Sequence, residues 1–126
     1  MDDMGLFRTT IGVESLARGE VRDVADALVD TGSELTWIPR AVLESIGVAV
    51  ERQRAFIAAD GRRVERDVGY AIIHASGTST VDEVVFAEET DFPILGVRSL
   101  EGLNLRVDPV KKQLVDAGPV LAVVAA

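Results

Sequence analysis

The 126-residue chain has no cysteine, which excludes a disulfide framework and a thiolate metal site. Without cysteine the chain also fits a reducing compartment. Its only histidine is His74, so a His-rich metal cluster is excluded and a Ser/His/Asp triad would have a single candidate base. No apolar run approaches the roughly 18 residues of a membrane-spanning helix. The segment from Met1 to Arg8 has two aspartates and lacks the basic stretch before an apolar one that marks a secretory leader. The expectation is a cytoplasmic protein without membrane attachment. Positive charge is scarce as well: 13 Lys and Arg face 21 Asp and Glu, a net charge of −8. That is the wrong sign for a surface that must hold nucleic-acid phosphates.

Apolar residues make up 48% of the chain, enough for a packed core. No repeat, low-complexity segment or Pro/Gly/Ser-rich linker interrupts it, so one domain over residues 1–126 is expected. Phe7, Thr9, Ile11 and Val13 alternate with other residues and predict a strand. Ala17 to Glu20 predicts a turn. Val21 to Val29 predicts a second strand, whose last residues, Ala27, Leu28 and Val29, read as fully buried. Leu35 to Ile38 predicts a third. Pro39 then stands at a first helical position, with Val42, Leu43 and Ile46 on one face and Gly47 as the stop.

Val48 to Val50 predicts a strand, followed by a polar stretch and the apolar Phe56 to Ala59. Asp60-Gly61 is a strong hairpin signal. Val64 to His74 descends from it, Ala75-Ser76-Gly77 turns, and Val81 to Ala87 returns. Phe92 to Gly96 leads into a second short helix with Val97 and Leu100 inward and Gly102 closing it. Leu103 to Val107, a turn at Asp108-Pro109 and Gln113 to Val115 follow, then an apolar, β-capable tail from Val120 to Ala126. Short strands, frequent turns and two brief helices point to an all-β small barrel or sandwich.

The chemistry concentrates where the second strand runs into Asp30-Thr31-Gly32-Ser33. A glycine there permits a tight turn and close approach of another chain, the threonine hydroxyl can lock the loop, and neighbouring amides and Ser33 can orient the carboxylate. Asp-Thr-Gly is also an ordinary turn sequence. Peptide hydrolysis by an activated water needs one group to take a proton and another to polarise the carbonyl. Two carboxylates a few ångströms apart provide both by sharing one proton. The chain has one such motif, and a twofold axis beside Asp30 would supply the second.

Ala27-Leu28-Val29-Asp30-Thr31-Gly32-Ser33 resembles the active-site motif of retropepsin-like aspartic peptidases, the superfamily of retroviral proteases. Ile94-Leu95-Gly96, followed by Val97-Arg98-Ser99-Leu100, resembles its second signature. Gly102 to Pro109 and Gln113 to Val115 resemble the closing strands of its bacterial and eukaryotic cellular members. Ile57 to Gly61 lies where such proteins carry the flap. Order and spacing agree over roughly residues 7 to 115. The resemblance implies a small closed acid-protease barrel active as a symmetric homodimer, an aspartic endopeptidase without cofactor or metal. Asp30 would be catalytic, with Thr31 bracing the two loops across the dimer, Gly32 offering its carbonyl to substrate backbone and Ser33 supporting the loop. Ala59, Asp60 and Gly61 would form the flap tip, and Ile94 would line a side-chain pocket. This tip is an Asp-Gly turn flanked by arginines, where viral enzymes have an apolar, glycine-rich one.

Its partners would be a second copy of itself and a peptide or protein substrate, with no nucleic acid and no membrane. The alternative is a non-catalytic dimerisation or peptide-binding module on the same fold; remoter is a small-ligand β-barrel unrelated to peptidases. Trp37 is expected to fill core beneath the second strand, and His74 to be a half-exposed strand residue. Glu88 to Asp91 reads as a solvated loop and no metal site. Arg52, Arg54, Arg62, Arg63 and Arg66 read as a solvated face, which could meet acidic peptide side chains if it borders a cleft.

Overall fold

The computed structural model describes residues 7–123. Nine strands and two helices occur among them: β1 Phe7–Glu14, β2 Val21–Val29, β3 Thr36–Pro39, α1 Arg40–Ser45, β4 Arg52–Ile57, β5 Arg63–Ala75, β6 Thr78–Ala87, β7 Ile94–Leu95, α2 Val97–Leu103, β8 Leu105–Asp108 and β9 Gln113–Asp116. Seven strands form one sheet in the order β1-β2-β7-β3-β6-β5-β4, and a further pairing of β1 with β5 closes it into a barrel. The all-β class with two short helices is therefore the one that forms. No helix among the described residues is long and apolar enough to cross a membrane.

Closure depends on the length of β5. Its first half, Arg63 to Val68, pairs with β4, while Ile72 to His74 pairs with Gly12 to Glu14 of β1. The other edge carries β6 from Val68 to Ala75. One strand thus serves as a barrel stave at one end and as half of a projecting hairpin at the other. The barrel is filled by Ile11, Val13, Val29, Ile38, Ile73, Val84, Phe86 and Leu95, with Leu43 from α1 and Leu100 and Leu103 from α2. A smaller cluster, Leu35, Val68 and Val85, carries Trp37 and Phe56 on its outer side.

Several boundaries differ from the sequence expectation. Val48 to Val50 forms no strand. Val48 is buried and its N–H closes α1 on the Leu43 carbonyl at 3.0 Å, and the Ala49 carbonyl oxygen presses against Gly69, where a Cβ would overlap it. The strand is instead the polar Arg52–Ile57, which an apolar pattern cannot reveal. Its hold comes from Arg52 and Arg54, on one face at a spacing of two, which reach the buried Glu83 at 3.0 and 2.9 Å. Pro39 ends β3 and caps α1 with an extended ψ of 133°, one residue before the helix.

Gly102 lies inside α2 because its missing side chain admits Thr80. The helix is closed by Asn104 in the left-handed region at φ 58°, a conformation asparagine tolerates. Of the apolar tail, residues 120–123 are irregular, with Val120, Leu121 and Val123 exposed; Met1 to Leu6 and residues 124–126 lie outside the described residues.

Substituting Gly69→Ala is expected to lower unfolding stability by about 1–3 kcal/mol, the usual range for forcing an extra carbon into a filled space. Urea denaturation checks this; an unchanged midpoint would mean that the segment after α1 yields freely.

Candidate functional site

Strand β2 delivers Asp30 with its orientation reset halfway along. Between the pairs Thr9–Ala27 and Ile11–Val24 the register shifts, so Ala25 and Asp26 together oppose Thr10, and Asp26 takes a φ of 58°. Such a bulge changes which side chains face inward. Val24, Ala27 and Val29 point into the core, and Leu28 is only half-buried and lines a cleft, unlike the fully buried run expected. Past Val29, the Asp30 N–H bonds to the Leu95 carbonyl at 3.1 Å and the Ser33 N–H to the Asp30 carbonyl at 3.1 Å. The Gly32 N–H donates to Asp30 Oδ1 at 2.9 Å, and among the described residues Oδ2 has no partner. The Ser33 hydroxyl reaches the Leu35 carbonyl at 2.8 Å and not the carboxylate. Asp30 and Ser33 are half-buried; Thr31 and Gly32 are exposed.

The start of α2 holds this loop from behind. Val97 N–H bonds to the Ser33 carbonyl at 2.8 Å and Arg98 N–H to the Glu34 carbonyl at 3.1 Å. Gly96 has ordinary extended dihedrals, so glycine is needed there for space: a Cβ would overlap the Leu35 carbonyl and come within 2.9 Å of the Ser33 oxygen.

Asp30 lines a cleft of about 710 Å³ whose walls include Leu28, Trp37, Phe56 and Ile94, with Phe92 at an exposed rim. The β4–β5 hairpin borders it. Gly61 N–H bonds to the Ala58 carbonyl at 2.9 Å and Ala58 N–H to the Arg62 carbonyl at 2.8 Å, with Gly61 at φ 86°; this is a three-residue hairpin loop of Ala59, Asp60 and Gly61. Asp60 accepts from the Arg62 Nε at 2.7 Å and the Arg62 N–H at 3.1 Å. The Arg62 guanidinium, foremost, holds the Asp60 carboxyl below the usual carboxylate range.

Trp37 was expected in the core and instead faces the cleft, packed on Phe56 with ring centroids 5.2 Å apart. Alternation along β3 explains it: Thr36 and Ile38 are fully buried, so Trp37 between them must face outward. That period-two signal is present in Leu35-Thr36-Trp37-Ile38.

The arginine segment is not a bare solvated face. Besides Arg52 and Arg54 on Glu83 and Arg62 on Asp60, Arg63 lies 3.8 Å from Glu65, and Arg66 grips both oxygens of Asp91 at 2.8 and 2.9 Å. Arg40 binds Glu88 at 2.9 Å and Asp67 at 2.7 Å, so the Glu88–Asp91 loop is strapped by two arginines rather than freely solvated. A second cleft, about 690 Å³, lies between α1 and that loop; of the acids on its walls, Glu44 and Glu88 pair with Arg40 and Asp91 with Arg66. His74 is distant from Asp30 in the sheet and bonds through Nε2 to Glu14 at 2.8 Å; this contact, foremost, holds the buried Glu14 carboxyl below its usual range against the effect of burial. Among the described residues no group of three or more His, Asp or Glu is placed to hold a metal ion.

No protein-family model and no curated protein matches the chain. Among solved structures, the solution structure of simian foamy virus (mac) protease is similar, with 19% identity over 74% of this chain and 92% of that one, at a TM-score of 0.49.

Two outcomes follow from the geometry. Gly96→Ala is expected to destabilise the fold by about 1–3 kcal/mol and to shift the Gly32 amide resonance; an unperturbed Gly32 signal would separate the two. For Asp91, the bonds from Arg66, foremost, lower the folded carboxyl below its ordinary value of 3.8. The folded protein thus binds that proton more weakly than the unfolded chain, so the contribution is complete above about pH 5 and is lost as pH falls through the folded value. Asp91→Asn should therefore lower stability at pH 7 by about 1–3 kcal/mol, with the difference from wild type shrinking below about pH 4. A difference that stays constant from pH 7 to pH 3 in thermal unfolding would contradict this.

Proposed function

We propose that the chain is one half of a homodimeric aspartic endopeptidase in which two Asp30 carboxylates activate one water. The observation that carries the reading is Asp30 itself: a half-buried carboxylate at a strand end, one oxygen fixed by the Gly32 N–H and the other without a partner among the described residues, in a cleft bordered by a hairpin. Of the other acids lining that cleft, Asp60 and Asp91 are held by Arg62 and Arg66, and Glu34 follows on the same loop. Among the described residues no other acid lining that cleft has one oxygen held by a backbone N–H and the other unbound, so in this reading the partner group comes from a second copy. The exposed outer face of Thr31 and Gly32 is the place for it.

In this reading the two carboxylates share one proton. The ionised one takes a proton from the bound water as its oxygen attacks the peptide carbonyl. The protonated one gives its proton to the carbonyl oxygen, and collapse of the tetrahedral intermediate sends a proton to the departing nitrogen. No covalent enzyme intermediate forms and no cofactor takes part. Thr31 braces the loops across the dimer, Gly32 receives substrate backbone, Ser33 stiffens the turn, and Ala59, Asp60 and Gly61 fold over the peptide. Ile94, with Trp37 and Phe56 nearby, lines a side-chain pocket.

Digestion of a diverse peptide library, read by mass spectrometry, tests this. Wild type should cleave, and Asp30→Asn and Asp30→Ala should lose at least about 10³-fold in rate with circular dichroism unchanged. Turnover retained in Asp30→Ala overturns the assignment. Peptide binding by the wild type without any cleavage would support the non-catalytic module, which the ion-paired Asp60–Arg62 tip favours.

A further inference from the structure

Behind the Asp30 loop lies a line of hydrogen bonds whose direction is fixed by its two ends. The Gly96 N–H can only donate, and it reaches Thr36 Oγ1 at 3.0 Å. A carboxylate can only accept, and Ser99 Oγ donates to Asp82 Oδ2 at 2.9 Å. Between them, Thr36 Oγ1 and Ser99 Oγ are 2.6 Å apart. The Ser99 hydrogen is committed to Asp82, so the hydrogen of the central bond belongs to Thr36. Each hydroxyl donates once and accepts once, the arrangement in which successive bonds polarise one another.

The line continues past Gly96. Its N–H and the Leu95 carbonyl belong to one peptide group, and that carbonyl accepts the Asp30 N–H at 3.1 Å. The sequence of donors is therefore Asp30 N–H, Gly96 N–H, Thr36 hydroxyl, Ser99 hydroxyl, ending on Asp82. Thr36 and Ser99 are wholly buried and Asp82 is 8% exposed. Asp82 Oδ1 is occupied by the Glu83 N–H at 2.8 Å, with Arg98 3.8 Å away. Solvent thus has little access to loosen the line.

We infer that Thr36, Ser99 and Asp82 are positioning residues for Asp30: a directed relay from a buried carboxylate through two hydroxyls and one peptide group to the backbone of the catalytic residue. The catalytic part of this inference rests on the peptidase reading; the relay itself does not. The role goes beyond filling space, because an isosteric side chain without a hydroxyl would keep the packing and cut the line between Gly96 and Ser99.

The test compares wild type, Thr36→Val and Thr36→Ser by site-resolved amide hydrogen exchange and by cleavage kinetics. Thr36→Val should speed exchange at Asp30 and Gly96 by about tenfold or more, leave amides in the middle of β5 nearly unchanged, and lower kcat by on the order of 10 to 10²-fold with KM within about twofold. Thr36→Ser, which keeps the hydroxyl, should restore both. Unchanged exchange at the two amides overturns the relay. So does a rise shared equally by β5, and so does a local rise with wild-type kcat. Should Thr36→Val not fold, Asp82→Asn gives the same readouts: the amide oxygen stays on the Glu83 N–H, its NH₂ faces Ser99, the central bond reverses and the Thr36 hydrogen loses its acceptor. If wild type cleaves nothing, the peptidase reading falls and the exchange data alone decide the relay.

Discussion

The missing side chain of Gly96 is the constraint on which the candidate site depends. Only a bare α-carbon lets the start of α2 press against the Ser33 and Leu35 carbonyls. From there the Leu95 carbonyl holds the Asp30 N–H and the Val97 N–H holds the Ser33 carbonyl, so both ends of the Asp30 turn are gripped by residues flanking one glycine. The turn is exposed at Thr31 and Gly32, yet its backbone is tied at Asp30 and Ser33. In the proposed peptidase, a carboxylate on such a mount would lose little conformational freedom on meeting its partner, as preorganised catalysis requires.

The barrel and the hairpin are joined by β5, and charge does much of the joining. The hairpin strand β4 has few inward apolar residues and is held through Arg52 and Arg54 to Glu83. On the other side, Arg66 ties the base of the hairpin to Asp91 and lies over Trp37, 6.0 Å from its ring centroid. The shielded, bidentate Arg66–Asp91 pair holds geometry better than an exposed single contact, and Glu83 gains by taking one arginine on each oxygen. They also leave the cleft with few free cations, which removes the basic rim that the arginine-rich segment suggested.

Much of the fold was legible because its signals are local. Alternation in Phe7 to Val13, the Asp60-Gly61 turn, the Ser76-Gly77 turn and the Ile94-Leu95-Gly96 step each declare themselves within a few residues. What was not legible depends on distant partners. The bulge at Asp26 appears only against β1, and it decides that Leu28 faces the cleft. The polar β4 could not be read as a strand without knowing that Glu83 is buried opposite. At Trp37 two readable signals conflict: aromatic bulk favours the core, while the period of two set by the buried Thr36 and Ile38 turns the side chain to the cleft. Nothing in the local pattern around Asp82 or Ser99 announces a shared bond; their linkage with Thr36 arises only when β3, β6 and α2 meet.

In the proposed enzyme a single carboxylate per chain becomes a pair by symmetry. The distance between the two Asp30 carboxylates in an experimentally determined structure of the protein in solution-state assembly measures this directly. Oxygens about 3 Å apart across a twofold axis are the expected result. A monomer, or a dimer with its Asp30 side chains beyond about 10 Å of each other, would contradict the account, since carboxyls that far apart cannot share a proton or hold one water between them.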